Sequence, residues 1–391
     1  MRRPPPLLTM IGFSMLGNSS LVVQPMIVGG LVDELKFTER QAGITASVEL
    51  SGLSIGMVLL VLVGRRCPPR LLGFAAIASV SLANVVACTV HQFGGMLLVR
   101  FLAGFGAAMA LAVFLAMGAS QERPENTFAV VNAVSIAYSG ALTPFAPHIL
   151  SRWGLAGLFL TLAAIALLML PLTLGLGDGR APAVASKHEQ RDSGTQFMPL
   201  SRQIVMLLLM MLLLYMGHGS IWAYQQRIGV GLGLSDLQIG NMIGMSMLIG
   251  GVGGSLAARA LGLRLGRVLP QYLSLGLSAL GAILLVWGAA PWIFGTACGL
   301  VAMSWFYGLP YQMGLLAAFD PLGRANMAGV VMTTGGSAAG PAIAAMLVPH
   351  AGHAAIGAFA AACYVGCLLL VLPAAVALNR GSAVQVCERP T

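Results

Sequence analysis

Two side chains stand out for where they lie: Glu49 and Arg100 each interrupt a long apolar run. A charge at the centre of a bilayer costs about 2.5–3.5 kcal/mol on insertion scales, so an ionisable residue kept there needs a functional account. Glu49 lies eleven residues past Thr38 and Arg100 six past Gly94. At 1.5 Å per residue their depths differ by less than ~8 Å, within reach of two long side chains. Two readings follow if they touch, and a third is that they do not. In one, the pair is switchable and protonating Glu49 frees Arg100. In the other, it is a permanent pair that pins two helices. His218 is the third candidate for coupling, because it is the one histidine well inside an apolar run and histidine titrates near neutrality; the blander reading is a hydrogen-bonded core histidine.

Other residues have the chemistry to hold a small solute. Tyr215, His218 and Trp222 recur at i, i+3 and i+7, so a helix presents them on one face. Trp305, Gly308 and Gln312 do the same further along. Asn18 is an amide in the middle of the first apolar run, with Gln24 close to its stripe. Rings and amides suit an amphipathic or aromatic compound, and Arg100 would extend this to anions. The rings also have an ordinary use as packing or interface-belt residues.

The elements that position these groups follow from composition. The chain has 391 residues, 58% of them hydrophobic and 8% charged, against about 25% charged in a soluble domain. So few charges cannot cover a water-facing surface, and most of this one must face lipid. Twelve runs are long enough for a span of ~20 residues: 7–32, 43–63, 71–90, 95–118, 127–149, 154–176, 203–226, 237–258, 268–288, 291–316, 325–348 and 353–378. They are too long for barrel strands, and lipid leaves no backbone group a water partner, so they are helices. The basic residues 1–6 precede a run too long for a signal-peptide core, which is read as the first span. Sixteen of the 21 basic residues fall on the side of the termini, four on the other, and Arg100 within a span; that bias predicts cytoplasmic termini.

The polar stretch 177–202 follows the sixth span and reads as a cytoplasmic linker. The expected organisation is 1–178, a linker over 179–202, and 203–391. The two parts repeat at an offset of 197 residues. Thr38 with Gln41 and Ser235 with Gln238 are matching capping boxes, Gly56 matches Gly253, and Pro144 matches Pro341. The fold class is an all-α membrane protein of twelve transmembrane helices in two six-helix, pseudo-symmetric bundles. Glycine, at 50 residues and almost double the usual ~7%, suits closely packed spans. Cys363 and Cys367 lie one helical turn apart with no histidine or second pair near them, and are expected to be buried, reduced and structural.

This layout resembles the major facilitator superfamily over almost the whole chain. The sharpest local match is Arg100-Phe101-Leu102-Ala103-Gly104-Phe105-Gly106-Ala107-Ala108, similar to the fourth-helix motif of that family. In its proton-coupled drug antiporters that arginine is associated with coupling, which is what the resemblance implies for Arg100. The loop Gly64-Arg65-Arg66-Cys67-Pro68-Pro69-Arg70 is basic but lacks the family aspartate, and Thr143-Pro144 stands where many exporters carry Gly-Pro. The resemblance implies a cavity between spans 1, 4, 7 and 10, lined by Asn18, Gln24, Arg100, Tyr215, His218, Trp222, Trp305 and Gln312. It also implies that Gly52 with Gly56, Gly250 with Gly254, and Gly336 with Gly340 lie where the two parts meet and rock.

The expected function is secondary active transport of a small organic solute across a bacterial inner membrane by alternating access, driven by a proton gradient. The expected partners are the solute and the bilayer, with no nucleic acid, no cofactor, no metal, and a monomeric protein. Uptake and efflux stay open. The competing class is a non-transporting membrane receptor or assembly factor. No paired catalytic constellation, P-loop or metal-ligand cluster is present, so an enzyme is not expected.

Overall fold

The computed structural model describes residues 7–63, 67–119, 121, 124–177, 201–288, 290–320 and 324–387. The linker expected at 179–202 falls outside them except at 201–202, as do Arg65 and Arg66.

All regular structure among the described residues is helical. In chain order come α1 (Leu7–Val22), α2 (Gln24–Asp33), α3 (Glu39–Val63), α4 (Pro69–Ala87), α5 (Phe93–Ala119) and α6 (Pro124–Leu168). After them come α7 (Arg202–Gly231), α8 (Asp236–Ser246), α9 (Val252–Leu261), α10 (Val268–Trp287), α11 (Pro291–Phe319), α12 (Arg324–Ala351) and α13 (Ala354–Cys387). A π-helical turn, Met247–Gly251, joins α8 to α9. Eleven stretches among the described residues are long and apolar enough to cross a membrane. Leu98, Phe145, Ile249, Trp292 and Leu369 are exposed on the outside of the bundle, where only lipid would leave such residues dry. The chain is a multi-pass membrane protein.

The longest stretch, Val130–Gly175 with 46 residues, would extend about 69 Å as one helix, more than twice a ~30 Å hydrocarbon core. It is two helices broken at Gly154, whose φ of 64° and ψ of −169° leave the helical region. The break is stabilised from outside: the Glu34 carboxylate accepts the Leu155 backbone N–H at 2.8 Å and so caps the second helix. Proline makes the break between α1 and α2, because Pro25 has no N–H to offer the Leu21 carbonyl one turn back.

Both expected capping boxes are formed. Thr38 Oγ1 accepts from Gln41 N at 3.2 Å while Gln41 Oε1 accepts from Thr38 N at 3.0 Å. Ser235 and Gln238 repeat this at 3.3 and 3.0 Å. Cys363 and Cys367 are free and buried, and the Cys367 thiol donates to the Met210 carbonyl at 3.2 Å.

The glycine pairs correct one expectation. A Cβ on Gly52 would meet the Phe101 carbonyl of α5, and one on Gly56 would meet Ala108. Gly250 and Gly254 face the Gly299 and Met303 carbonyls of α11, and Gly336 and Gly340 face those of Leu212 and Met216 on α7. Each pair therefore brings neighbours on the same side of the linker close together, backbone on backbone except at Gly56, which meets side chains. The contacts between α3 and α12, and between α6 and α8, use other groups. There Gly240 and Gly244 lie against the Pro147 and Pro144 rings, near the Thr143 and Gly140 carbonyls that those prolines leave without an in-helix N–H.

Candidate functional site

The face of α5 that carries Arg100, Gly104 and Ala108 is turned to α3, because Gly104 has no side chain: a Cβ there would meet the Glu49 carbonyl. That close approach sets Glu49 beside Arg100. Arg100 is wholly buried and Glu49 is 4% exposed. Arg100 Nε donates to Glu49 Oε2 at 3.1 Å and Nη2 pairs with Glu49 Oε1. Nη1 donates to Asn84 Oδ1 at 3.0 Å, Nη2 also reaches the Ser20 hydroxyl, and Ser20 donates to Glu49. The guanidinium carbon sits 5.2 Å from the Phe159 ring centroid, within cation–π range. One buried charge pair thus ties together α1, α3, α4, α5 and α6, with both charges hydrogen-bonded as burial requires.

Beside it lie two adjoining chambers of about 680 and 300 Å3 that share Asn18, Leu21, Trp222, Trp305 and Leu309. Trp222 and Trp305 wall both, with Tyr215 set edge-on to Trp305 at 5.5 Å. Phe114, Phe128 and Phe306 continue the apolar wall of the larger chamber. Facing these rings are the Asn18 amide, Asn132, Ser135 and Ser139 of α6, and Thr333, Thr334 and Ser337 of α12. Gln24 lines the smaller chamber and donates to the Ala46 carbonyl at 3.3 Å.

Three expected cavity residues lie elsewhere. Arg100 borders neither chamber, because the small face of α5 draws its side chain toward α3 and α4. The residues α5 gives to the cavity are Leu111, Phe114 and Leu115. His218 lies behind Trp305, stacked on it at 5.2 Å and 14°. Its Nε2 is 3.3 Å from Ser278 Oγ and 3.4 Å from Ser304 Oγ, so α10 and α11 hold it in a polar core. Gln312 is buried away from both chambers. Its neighbour on the same face, Gly308, abuts Ser274 of α10, which places that face of α11 against α10. Glu49 is intermediate: it borders a crevice of about 10 Å3 that shares Leu21, Gln24, Leu50 and Leu53 with the smaller chamber, room for about one water.

Sequence reasoning missed the polar ridge on α6. Asn132, Ser135 and Ser139 are spaced i, i+3, i+7, a signal present in the sequence but on a span outside 1, 4, 7 and 10, where the cavity was expected. It also missed a charged clamp at the α2–α3 end of the bundle. Arg227 Nη1 contacts Asp33 Oδ1 at 2.8 Å and its Nε contacts Glu39 Oε1 at 3.4 Å; His353 Nε2 lies 2.9 Å from Glu39 Oε2. Tyr224 donates to the Glu39 carbonyl at 2.8 Å. No sequence signal pairs groups 314 residues apart. At this end α2 packs on α7, whereas α1 packs on α5 and α6. Glu39→Ala removes both carboxylate contacts; partly exposed pairs are worth about 0.2–1 kcal/mol each. The expected result is a severalfold rise in opening of this end, read as hydrogen exchange over residues 24–38, and unchanged exchange would show that the clamp carries no weight.

Comparison with known proteins gives two positive findings. A sequence model described as Major Facilitator Superfamily matches residues 7–345. Among solved structures, 285 chains match, so the fold is widely shared and by itself names no solute. One is the crystal structure of a single-substitution mutant of the nucleoside transporter NupG, with a TM-score of 0.74, 12% sequence identity, and coverage of 95% of this chain and 99% of that one. No curated protein shows significant sequence similarity to the chain.

Proposed function

From the premise that the chain belongs to the major facilitator superfamily and is a non-enzymatic secondary transporter, we propose that it carries an uncharged, amphipathic or aromatic solute, with a proton at Glu49 as the coupling ion. The observation that carries the solute class is the cavity wall: among the described residues, no charged side chain lines either chamber. A lone charge placed against those rings would lose its hydration without gaining a partner. A planar ring would stack between Trp222 and Trp305, and hydroxyl or amide groups would meet Asn18, Asn132, Ser135 and Thr333. The anionic solute expected from Arg100 has no support once Arg100 is paired inside the bundle.

Twelve spans result when the Gly154 break is taken as the connection between the fifth and sixth. Residues 1–178 and 203–391 then form two six-helix parts joined by 179–202, which rock about the cavity. The positive-inside bias places the termini in the cytoplasm, with the Asp33–Glu39–Arg227–His353 clamp on the outer side of a bacterial inner membrane. The state described is closed at that clamp. The one-water crevice offers a proton route between chamber and Glu49, and His218 is a second candidate on the opposite side of Trp305.

The test is flux into proteoliposomes under an imposed pH gradient, with uncharged hydroxylated ring compounds, nucleosides among them, set against aromatic acids and cationic dyes. Saturable, gradient-driven flux of an uncharged compound is expected. Trp305→Ala should raise KM about tenfold, since a ring contact adds about 0.5–1.5 kcal/mol to the loss of buried area. Transport of anions alone would overturn the solute class, and flux indifferent to the gradient would overturn proton coupling.

A further inference from the structure

Pro25 and Trp222 occupy equivalent positions of the two parts of the chain, at the 197-residue offset that relates the capping boxes. One position holds the residue that opens a helix, and the other holds a residue that can fill the opening. Pro25 cannot supply the N–H that would meet the Leu21 carbonyl in an unbroken helix. α1 stops at Val22, and Met26 N turns to the Val23 carbonyl three residues back at 2.9 Å, while Ile27 N makes the ordinary helical bond to the same carbonyl at 3.0 Å. The Trp222 indole N–H donates to the Leu21 carbonyl at 2.8 Å, across 201 residues of sequence. Trp222 is 7% exposed and its ring lines both chambers.

This bond stands at a boundary. Toward the N-terminus, α1 has the cavity between itself and α7; beyond it, α2 packs on α7. Arg227 of the charged clamp lies five residues further along α7, about 8 Å at 1.5 Å per residue. Bond and clamp therefore close the same end, one from the cavity side and one from the rim.

We propose that the Trp222 indole and the Leu21 carbonyl exposed by Pro25 form the latch that holds the α2–α7 end shut. The bond joins a helix from before the linker to one from after it, so those helices cannot separate without breaking it. The ring that makes it is also the ring a solute must touch, so one residue serves both the cavity and the closure. The inference rests on the alternating-access reading above for its role in transport, but the latch itself is tested without transport.

Two substitutions act on the latch by unrelated routes. Trp222→Phe keeps an aromatic ring and deletes the N–H. Pro25→Ala leaves Trp222 intact and supplies an in-helix N–H that competes for the Leu21 carbonyl, whose second lone pair lets the indole bond weaken without being lost. Hydrogen–deuterium exchange of the purified protein in nanodiscs, without solute, reads the opening of residues 24–38. Trp222→Phe should raise exchange there about fivefold, the effect of one hydrogen bond of ordinary net strength, and Pro25→Ala should raise it by less. The double variant should show no more than Trp222→Phe alone, because both act on the same bond. Unchanged exchange in Trp222→Phe would overturn the latch, and so would a double variant that exchanges faster than Trp222→Phe alone. Exchange over residues 110–118, at the opposite mouth, should fall as that over 24–38 rises. If it does not, the latch stands and the alternating-access reading fails.

Discussion

Arg100→Ala is expected to abolish gradient-driven flux and to lower the stability of the protein by about 3–5 kcal/mol, because it strands the Glu49 carboxylate in the interior without a cation. Glu49 would keep the Ser20 hydroxyl, which cannot replace a guanidinium. Proteoliposome flux measures the first loss and thermal unfolding in detergent the second. Loss of flux alone cannot separate a coupling group from a structural one, so the informative companion is Glu49→Gln. The amide has the shape of the protonated acid and can still accept from Arg100. If the pair is the coupling device, this variant exchanges solute across the membrane in counterflow but no longer follows the pH gradient. If the pair only pins α3 to α5, gradient-driven flux persists. Replacing both residues with apolar ones of similar volume should recover much of the stability lost in Arg100→Ala while leaving transport uncoupled.

Gly104→Ala is expected to have the second-largest effect, though it adds one methyl group. The new Cβ would meet the Glu49 carbonyl and lie 3.1 Å from Leu53 N, both backbone atoms that cannot swing aside. α3 and α5 must part, and Arg100 loses its register with Glu49. Overpacking of this kind costs about 1–3 kcal/mol, and transport should fall at least tenfold. Gly94→Ala at the start of the same helix is the control, since no atom lies within 4 Å of the added Cβ; its stability should be unchanged or slightly raised, in line with the better helix propensity of alanine. Equal stability of the two variants would mean that α3 can shift freely and that the glycine does not set the pair.

Local and compositional features were legible in the sequence because their physics is local. A span is a run of apolar residues, and its chemistry does not depend on its neighbours. The capping boxes at Thr38 and Ser235 involve groups three residues apart. Glu49 and Arg100 announced themselves by the energy needed to keep a charge in lipid, whatever their partners. The break at Gly154 falls on the first residue of the sixth predicted span, and proline at position 25 necessarily leaves a carbonyl one turn back without its N–H.

The facing of each helix was decided only by the tertiary structure. A small-residue pair says that another backbone can come close, but the sequence does not name which one. Gly52, Gly250 and Gly336 therefore pack against α5, α11 and α7 and not across the seam. The same close approach turned Arg100 away from the cavity: with Gly104 and Ala108 on its side of α5, that face is the one α3 covers, which leaves Leu111 and Phe114 for the chamber. His218 and Trp222 share a stripe in the sequence and separate in space, because Trp305 lies over the histidine and the Leu21 carbonyl takes the indole. Contacts such as His353 with Glu39 join residues on opposite sides of the linker. The sequence by itself determined a helical membrane protein with a buried carboxylate and guanidinium, since these follow from hydropathy, short-range spacing and the cost of burying charge, while its superfamily rested on resemblance to a family motif. Which groups meet, and so which line the cavity, depended on rotations of whole helices that are set by packing many residues at once.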